Sequence, residues 1–200
     1  RPASVSRGFK SEAEGLGSAT VLVPPSGEPG GPCPPGVRML RRGAQGLSVA
    51  IGDEGAMVAS LCPDAPLGFS KDRRRAIDAV SALFAPTHIV LDDAFQTWPV
   101  ARDADIVLLD ARRPLGNGRI IPAGSLREGA GALRRADAIG FNGIEDDGAP
   151  ENEEGGGTNE EDVRLGRLRE WTIRTVGREV PVFGIRRRVS LLAPGPGAGD

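Results

Sequence analysis

Acidic and basic side chains alternate between His88 and Glu128, and their types suit the binding of a metal ion and phosphate. A short apolar run from His88 to Leu91 ends on Asp92 and Asp93. Carboxylates that follow a buried parallel strand lie at the sheet edge where α/β proteins commonly hold a metal or phosphate ligand. A second run, Asp105 to Leu109, ends on Asp110, and arginines lie between and after the two runs at Arg102, Arg112, Arg113, Arg119 and Arg127.

Hydrophobic periodicity predicts the elements that position these residues. Helical spacing of apolar residues, stopped by Pro86, predicts a helix over 72–84. Short apolar runs predict strands at 1–9, 20–23, 88–91, 105–109, 136–141, 171–173 and 180–185. Residues 24–36 are rich in proline and glycine, which predicts a surface loop, and residues 37–46 read as irregular.

Two further segments carry candidate site residues at predicted helix starts. Asp53 precedes an apolar segment, so we expect it to be the N-cap of a helix that turns Met57, Val58 and Leu61 inward. The segment from Ser125 to Glu128 reads as an S-x-x-E capping box, and in one of the two readings open for Glu128 this residue does no more than bond back to the Ser125 amide. No cap explains the neighbouring Arg127.

Acidic and basic residues are distributed unevenly along the chain. Nine of the 27 acidic residues lie between residues 145 and 162, where there is no lysine or arginine, so 18 acids remain elsewhere against 25 bases. A basic body with an acidic insert is compatible with phosphorylated or membrane-surface partners. We expect a nucleotide-binding core over 1–143, a disordered acidic linker over 144–166, and short strands with a flexible tail over 167–200.

The small number of metal-binding side chains excludes one class of site. Cys33 and Cys62 are far apart, and His88 is the only histidine, so a structural zinc site is not expected. We read both cysteines as reduced thiols and His88 as a structural or partly exposed residue. No run of residues reaches the length of a membrane span.

Several motifs in one order resemble the tetraacyldisaccharide 4′-kinases of lipid A synthesis. That family has a strand ending in DDG-(F/L)-QH, then ARD with DIV, then FGNG and LPAGPLRE. The matching segments here are Asp92 to Thr97, Ala101 to Val107, Leu115 to Gly118 and Ile121 to Glu128. The resemblance implies an incomplete α/β fold of the P-loop NTPase type, with a mostly parallel sheet flanked by helices.

The resemblance also implies a function and site residues. It implies transfer of the ATP γ-phosphoryl group to the 4′-hydroxyl of a tetraacyldisaccharide 1-phosphate, which yields lipid IVA. Asp92 and Asp93 would hold Mg²⁺, and Asp53, in a GDE segment like the family's GDEP, would be the general base. Arg127 and Glu128 would face the cleft and bind nucleotide or sugar phosphate. The implied partners are the lipid A disaccharide precursor and the cytoplasmic face of the bacterial inner membrane, with no nucleic acid.

Three departures from the family pattern stand in these 200 residues. Thr97 replaces the family's histidine, Ala94 its glycine and Gly55 the proline of GDEP, which we expect to loosen the turn at Asp53. No GxxxxGK(S/T) segment is present, because the only lysines, Lys10 and Lys71, do not follow glycine. We therefore expect the isolated polypeptide to be inactive.

Two other functions stay open. The first is a non-catalytic remnant or binding protein derived from such a kinase, which the missing phosphate loop and Thr97 favour. The second is a Mg²⁺-dependent phosphatase that uses a strand-end aspartate as its nucleophile. Such enzymes favour two aspartates separated by one residue, whereas Asp92 and Asp93 are adjacent, so the phosphatase ranks behind the kinase.

Overall fold

The computed structural model describes residues 2–8, 11–15, 17–25, 27–42, 46–144 and 160–185. The chain divides into two compact units, Arg1–Ala101 and Arg102–Asp200. This boundary lies well before residue 143, where we expected the first domain to end.

The first unit is built on a five-stranded, mostly parallel sheet in the order β3-β2-β4-β1-β5. Its strands are β1 (Pro2–Ser6), β2 (Ala19–Val23), β3 (Val37–Arg41), β4 (Leu67–Phe69) and β5 (His88–Leu91). The β2–β4 pair is antiparallel, and the other three pairs are parallel. The strand β3 lies in the segment that we predicted to be irregular, so that prediction is wrong.

Helices cover both faces of this sheet, because apolar residues of the central strands alternate between the two faces. On one face, Val5 and Val21 pack against Ala76, Val80 and Leu83 of α4 (Arg73–Phe84), the predicted helix. On the other face, a second core contains α1 (Glu12–Gly15), α2 (Leu47–Ile51) and α3 (Asp53–Leu61). Its buried members are Ala13, Leu22, Ala50, Ile51, Ala59, Leu67 and Phe69.

The orientation of α3 differs from the prediction. Gly55 and Ala59 face the core, whereas Met57 is 56% exposed and Leu61 is 72% exposed. The reason is a close approach to the sheet, since a Cβ atom at Gly55 would lie 2.8 Å from the Phe69 Cε1 atom. Small residues and the half-buried Val58 therefore take the inward face, as predicted for Val58, whereas Met57 and Leu61 point to solvent.

The second unit is a smaller parallel sheet in the order β6-β7-β8. Its strands are β6 (Ile106–Asp110), β7 (Ala138–Asn142) and β8 (Val182–Ile185), with a short 3-10 helix at Ala130–Arg135 and the long helix α5 (Glu160–Val176). The ring of Phe141 in β7 meets the ring of Trp171 in α5 edge to face, with centroids 6.1 Å apart.

Two predictions are wrong for the residues that form helix α5. Residues 171–173 were predicted as a strand but lie inside this helix, and residues 160–166 were assigned to the linker but form its first turns. The rest of the predicted acidic linker, 145–159, lies outside the described residues, as does the tail after residue 185. The described helices include none with the length and apolarity needed to cross a membrane.

Candidate active site

Asp92 and Asp93 directly follow β5, as the sequence predicted, and they lie in a turn. The Asp92 backbone N–H donates to the Val5 carbonyl at 3.0 Å, which extends the parallel β1–β5 ladder by one bond. Asp93 has φ 47°, in the left-handed region that Asp and Asn tolerate better than most residues. Both side chains are exposed. The strand itself is not buried as predicted, because Val90 is 61% exposed.

Arg73, the first residue of α4, holds this turn. Its guanidinium Nη2 donates to the carbonyl oxygens of Asp92 and Asp93, each at 3.0 Å. The residue is only 8% exposed, which is unusual for an arginine. A buried cation that binds both carbonyls fixes the backbone of the turn, so that the two carboxylates point away from the core. Sequence reasoning missed this residue.

A small open cavity of about 30 Å³ lies beside Asp92, within the first unit. Its polar lining comes from Ser4, Ser6, Glu54 and Asp92, and its apolar lining comes from Gly55, Val58, Leu67 and Phe69. The Ser6 hydroxyl donates to Asp92 Oδ2 at 3.4 Å. Residues of β1 and α3 thus share one cavity with the first aspartate of the turn, and neither Ser6 nor Glu54 was predicted as a site residue.

Asp53 is the first residue of α3 and not its cap. Gly52, with φ 82°, occupies the N-cap position, and no side chain caps this helix. The Asp53 side chain is exposed, and the next residue, Glu54, lines the cavity beside Asp92. Asp53 is thus a carboxylate that is not used as a cap, and it does not itself line that cavity. Gly55, where the family has proline, is buried against Phe69 and not in a loosened turn.

Arg127 and Glu128 belong to the second unit and precede its 3-10 helix. The capping-box reading of Glu128 is wrong, because Gly129 is the N-cap of that helix and Ser125 lies outside it. Glu128 instead forms an ion pair with Arg135, with 3.0 Å between Oε2 and Nη2. Arg127 is exposed. A nucleotide or sugar-phosphate role for these two residues stays a prediction.

The loop before Arg127 is closed by its own hydrogen bonds. The Asn117 side chain donates to the Ala123 carbonyl at 2.9 Å and accepts from the Arg119 backbone N–H at 3.1 Å. The Ile121 N–H donates to the Leu126 carbonyl at 2.9 Å. The asparagine of the Gly-Asn-Gly motif therefore shapes the loop, which is a structural reason for its presence.

One arginine of the motif region has a structural partner. The Arg102 guanidinium binds Asp105 through two bonds, 2.6 Å from Nε and 3.1 Å from Nη2. Both side chains are more than four-fifths buried. This bidentate pair fixes the segment that enters β6, so the ARD motif contributes to folding whatever else it does.

The carboxylates at the turn fit a magnesium ion that takes its remaining ligands from water and a substrate phosphate. Among the described residues, no three histidine, cysteine, aspartate or glutamate side chains form a metal-binding group. Mg²⁺ commonly binds through one or two carboxylates, with waters and substrate phosphates completing its octahedron. The adjacent carboxylates of Asp92 and Asp93 match that requirement.

The comparisons with known proteins point to one family. The family model for tetraacyldisaccharide-1-P 4′-kinase matches residues 35–177, well over half of the chain. A tetraacyldisaccharide 4′-kinase from Pseudomonas putida is 50% identical over 82 residues, which are 41% of this chain and 25% of the relative. One from Halothermothrix orenii is 45% identical over 86 residues, or 43% of this chain and 22% of the relative.

The chain therefore spans only about a quarter of the length of these relatives. The fold is similar to that of LpxK from Aquifex aeolicus, whose crystal structure is of an "apo" form in complex with ATP. The match has a TM-score of 0.56 and 23% identity, and covers 98% of this chain and 66% of that one. With a family model matched across both compact units, the chain belongs to the tetraacyldisaccharide-1-P 4′-kinase family.

Proposed function

We propose that this chain is the acceptor-side and metal-binding part of a kinase. The reaction is transfer of the ATP γ-phosphoryl group to the 4′-hydroxyl of tetraacyldisaccharide 1-phosphate, which gives lipid IVA. The acceptor is a lipid, so we place the reaction at the cytoplasmic face of the bacterial inner membrane. The family membership supports this proposal.

The observation that carries the proposal is the arrangement of acids in the first unit. Arg73 fixes the turn of Asp92 and Asp93, and the cavity beside Asp92 is lined by Glu54, the neighbour of Asp53. A kinase needs a metal ligand set and a base for the acceptor hydroxyl, positioned by rigid elements. In this proposal the turn after β5 provides the metal ligands and the start of α3 provides the base.

The proposed chemistry is in-line substitution at phosphorus. The 4′-oxygen forms a bond to the γ-phosphorus, the bond from that phosphorus to the β-phosphate oxygen breaks, and the hydroxyl proton passes to Asp53. Asp92 and Asp93 would hold Mg²⁺, which neutralises charge on the phosphate oxygens when bound. Arg127 and Glu128 would help to bind nucleotide or sugar phosphate.

A chimera tests this proposal. Residues 35–177 would replace the corresponding segment of the Pseudomonas putida relative, so that the relative supplies the rest of its own chain, and transfer of radioactive phosphate from ATP to the acceptor would be measured. We expect clear transfer by the chimera and none by the isolated 200-residue chain.

The matched control is the same chimera with Asp92 and Asp93 changed to asparagine, which keeps their size and removes the charge. A folded chimera without transfer would reject the kinase and favour the non-catalytic alternative. A phosphatase would instead leave an acyl phosphate on Asp92, detectable by trapping with hydroxylamine.

A further inference from the structure

The central strand β1 carries two hydroxyl groups on the face that lines the cavity. Ser4 and Ser6 line it beside Asp92, whereas Ala3 and Val5, which alternate with them, are buried in the core that contains α4. The strand lies between two parallel neighbours, β4 and β5, and strands in that position ordinarily have apolar residues on both faces. Alanine would be equally small, so a hydroxyl group here is expected to have a hydrogen-bond partner.

The hydroxyl group of Ser6 has two partners. Its oxygen accepts from the Gly8 backbone N–H at 3.5 Å, and the hydroxyl donates to Asp92 Oδ2 at 3.4 Å. A serine hydroxyl has one hydrogen and two lone pairs, so both bonds can form at once. The bond from Gly8 is a local turn contact of a common kind. The bond to Asp92 instead joins the end of β1 to the candidate metal ligand after β5.

The backbone around this contact is fixed by the sheet. The Ser6 carbonyl accepts from the Ser70 N–H at 3.2 Å, and the Val5 carbonyl accepts from the Asp92 N–H at 3.0 Å. The Arg73 guanidinium binds the Asp92 carbonyl at 3.0 Å. The position of the Asp92 backbone is thus determined without its side chain, and the Ser6 hydroxyl acts on the carboxylate itself.

We propose that Ser6 is a positioning residue that orients the Asp92 carboxylate for Mg²⁺. This inference rests on the proposed function, in which Asp92 binds the metal. A hydrogen bond to Oδ2 restricts rotation of the carboxylate and leaves its other oxygen for the metal ion. Carboxylates that bind metals are commonly hydrogen-bonded in this way, and loss of the partner typically weakens metal binding by about tenfold to a hundredfold.

The test measures binding of Mn²⁺, a paramagnetic substitute for Mg²⁺, to the full 200-residue chain. Electron paramagnetic resonance would give the concentration of the free ion. Ser6→Ala removes the hydroxyl, and Ser6→Thr keeps one at the same position. Ser60→Ala is the matched control, because its hydroxyl is exposed and donates within α3, to the Met57 carbonyl at 2.7 Å. Thermal unfolding would verify that all variants stay folded.

We expect Ser6→Ala to raise the Kd for Mn²⁺ by about tenfold. Ser6→Thr should restore most of the affinity, and Ser60→Ala should leave it as in the unaltered chain. A role of Ser6 in the turn at Gly8 alone would lower the unfolding temperature of the alanine variant but would not change its Kd for Mn²⁺. The Kd therefore reports on the orientation of Asp92 separately from stability.

Asp92→Asn distinguishes failure of this proposal from failure of the function on which it rests. If Asp92→Asn abolishes Mn²⁺ binding but Ser6→Ala leaves the Kd unchanged, Ser6 does not orient the carboxylate and the metal site stands. An equal loss of affinity in Ser6→Ala and Ser6→Thr would also reject the role of the hydroxyl. If the unaltered chain binds no Mn²⁺, or Asp92→Asn binds it equally well, the metal role of Asp92 and the role of Ser6 fail together.

Discussion

The Arg73 guanidinium lies 3.0 Å from the carbonyl oxygen of Asp93, so the first turn of α4 holds the turn that carries both candidate metal ligands. Asp93 adopts a left-handed backbone conformation there. Such a conformation persists where the surrounding structure determines it, and here the determining contact is a buried cation on two adjacent carbonyls.

Arg73→Met should therefore affect both stability and the metal requirement. Loss of two hydrogen bonds from a charged donor should cost about 2 to 4 kcal/mol of unfolding free energy, measured with urea. In the chimeric kinase, the Mg²⁺ concentration for half-maximal rate should rise, because the carboxylates lose their fixed backbone. Arg74→Met is the control, since Arg74 is exposed and its guanidinium binds Asp72, outside the turn of Asp92 and Asp93. An unchanged Mg²⁺ requirement in a folded Arg73→Met chimera would show that Arg73 is purely structural.

Asp53→Asn should abolish most turnover without destabilising the fold. In the chimera, removal of a general base should lower kcat by about two to four orders of magnitude. The effect on unfolding should be about 0.5 kcal/mol, because Gly52 is the N-cap and Asp53 contributes only its charge at the helix start. Asp78→Asn, on the exposed side of α4, serves as the control. Near-normal turnover in the Asp53 variant would remove this residue from the role of base.

The Glu128–Arg135 ion pair allows a stabilising role of Glu128 to be distinguished from a role in ligand binding. Both side chains are about a quarter exposed, at 24% and 30%. A double-mutant cycle with Glu128→Gln and Arg135→Met should give a coupling free energy of about 1 kcal/mol by urea unfolding. If Glu128 also binds phosphate or sugar, its variant should raise the chimera's KM for ATP or acceptor while the Arg135 variant does not. Equal KM values in the two variants would leave Glu128 with the structural role alone.

Asp72 gives the first unit a pH-dependent contribution to stability. It caps α4 by accepting from the Arg74 backbone N–H at 3.1 Å, and the Arg74 side-chain hydrogen bond is the main cause that lowers the pKa of Asp72 below its ordinary value of 3.8. A lowered folded-state pKa stabilises the fold above the ordinary pKa, and this contribution is lost as the pH falls through the folded-state value. Asp72→Ala should thus cost about 1 kcal/mol near neutral pH.

The cost should shrink as the pH falls from 3.8 through the lowered folded-state pKa, because a protonated Asp72 carries no more charge than the alanine that replaces it. Urea unfolding at about pH 7 and at a series of pH values below 3.8 would measure it, with Asp72→Asn as the control that keeps an acceptor but no charge. A cost of the alanine variant that does not change with pH would show that the ionised carboxylate contributes nothing.

Local pattern was sufficient to predict the elements nearest the site. The strand β5, the helix α4 and the turn of Asp92 and Asp93 follow from an apolar run, a helical repeat with a stop at Pro86, and two adjacent acids. The repeat also contained an overlooked signal, because Arg73 lies three residues before Ala76 and seven before Val80. An arginine at those intervals is on the buried side of the helix, where a cation needs partners.

The wrong predictions have a different origin, since these features depend on tertiary contacts between residues that are far apart in the sequence. Met57 and Leu61 point outward because Gly55 and Ala59 allow α3 to approach Phe69 closely. Residues 171–173 are apolar enough for a strand, but they lie within the helical repeat of Leu168, Thr172 and Val176, the residues of α5 that are buried. Ser125 does not begin a helix as predicted. It follows the loop that the Asn117 side chain closes, and the 3-10 helix begins only at Ala130.

The contact between Gly55 and Phe69 has a consequence for comparing relatives. A side chain at position 55 and a full aromatic ring at position 69 compete for the same space, since a Cβ atom at 55 would come within 2.8 Å of the ring. The two positions should therefore vary together across the family, with bulk at one accompanied by a smaller residue at the other. A relative that carries the proline of GDEP should have a correspondingly reduced or displaced side chain where Phe69 stands, and the two substitutions should be transferred as a pair in any consensus design.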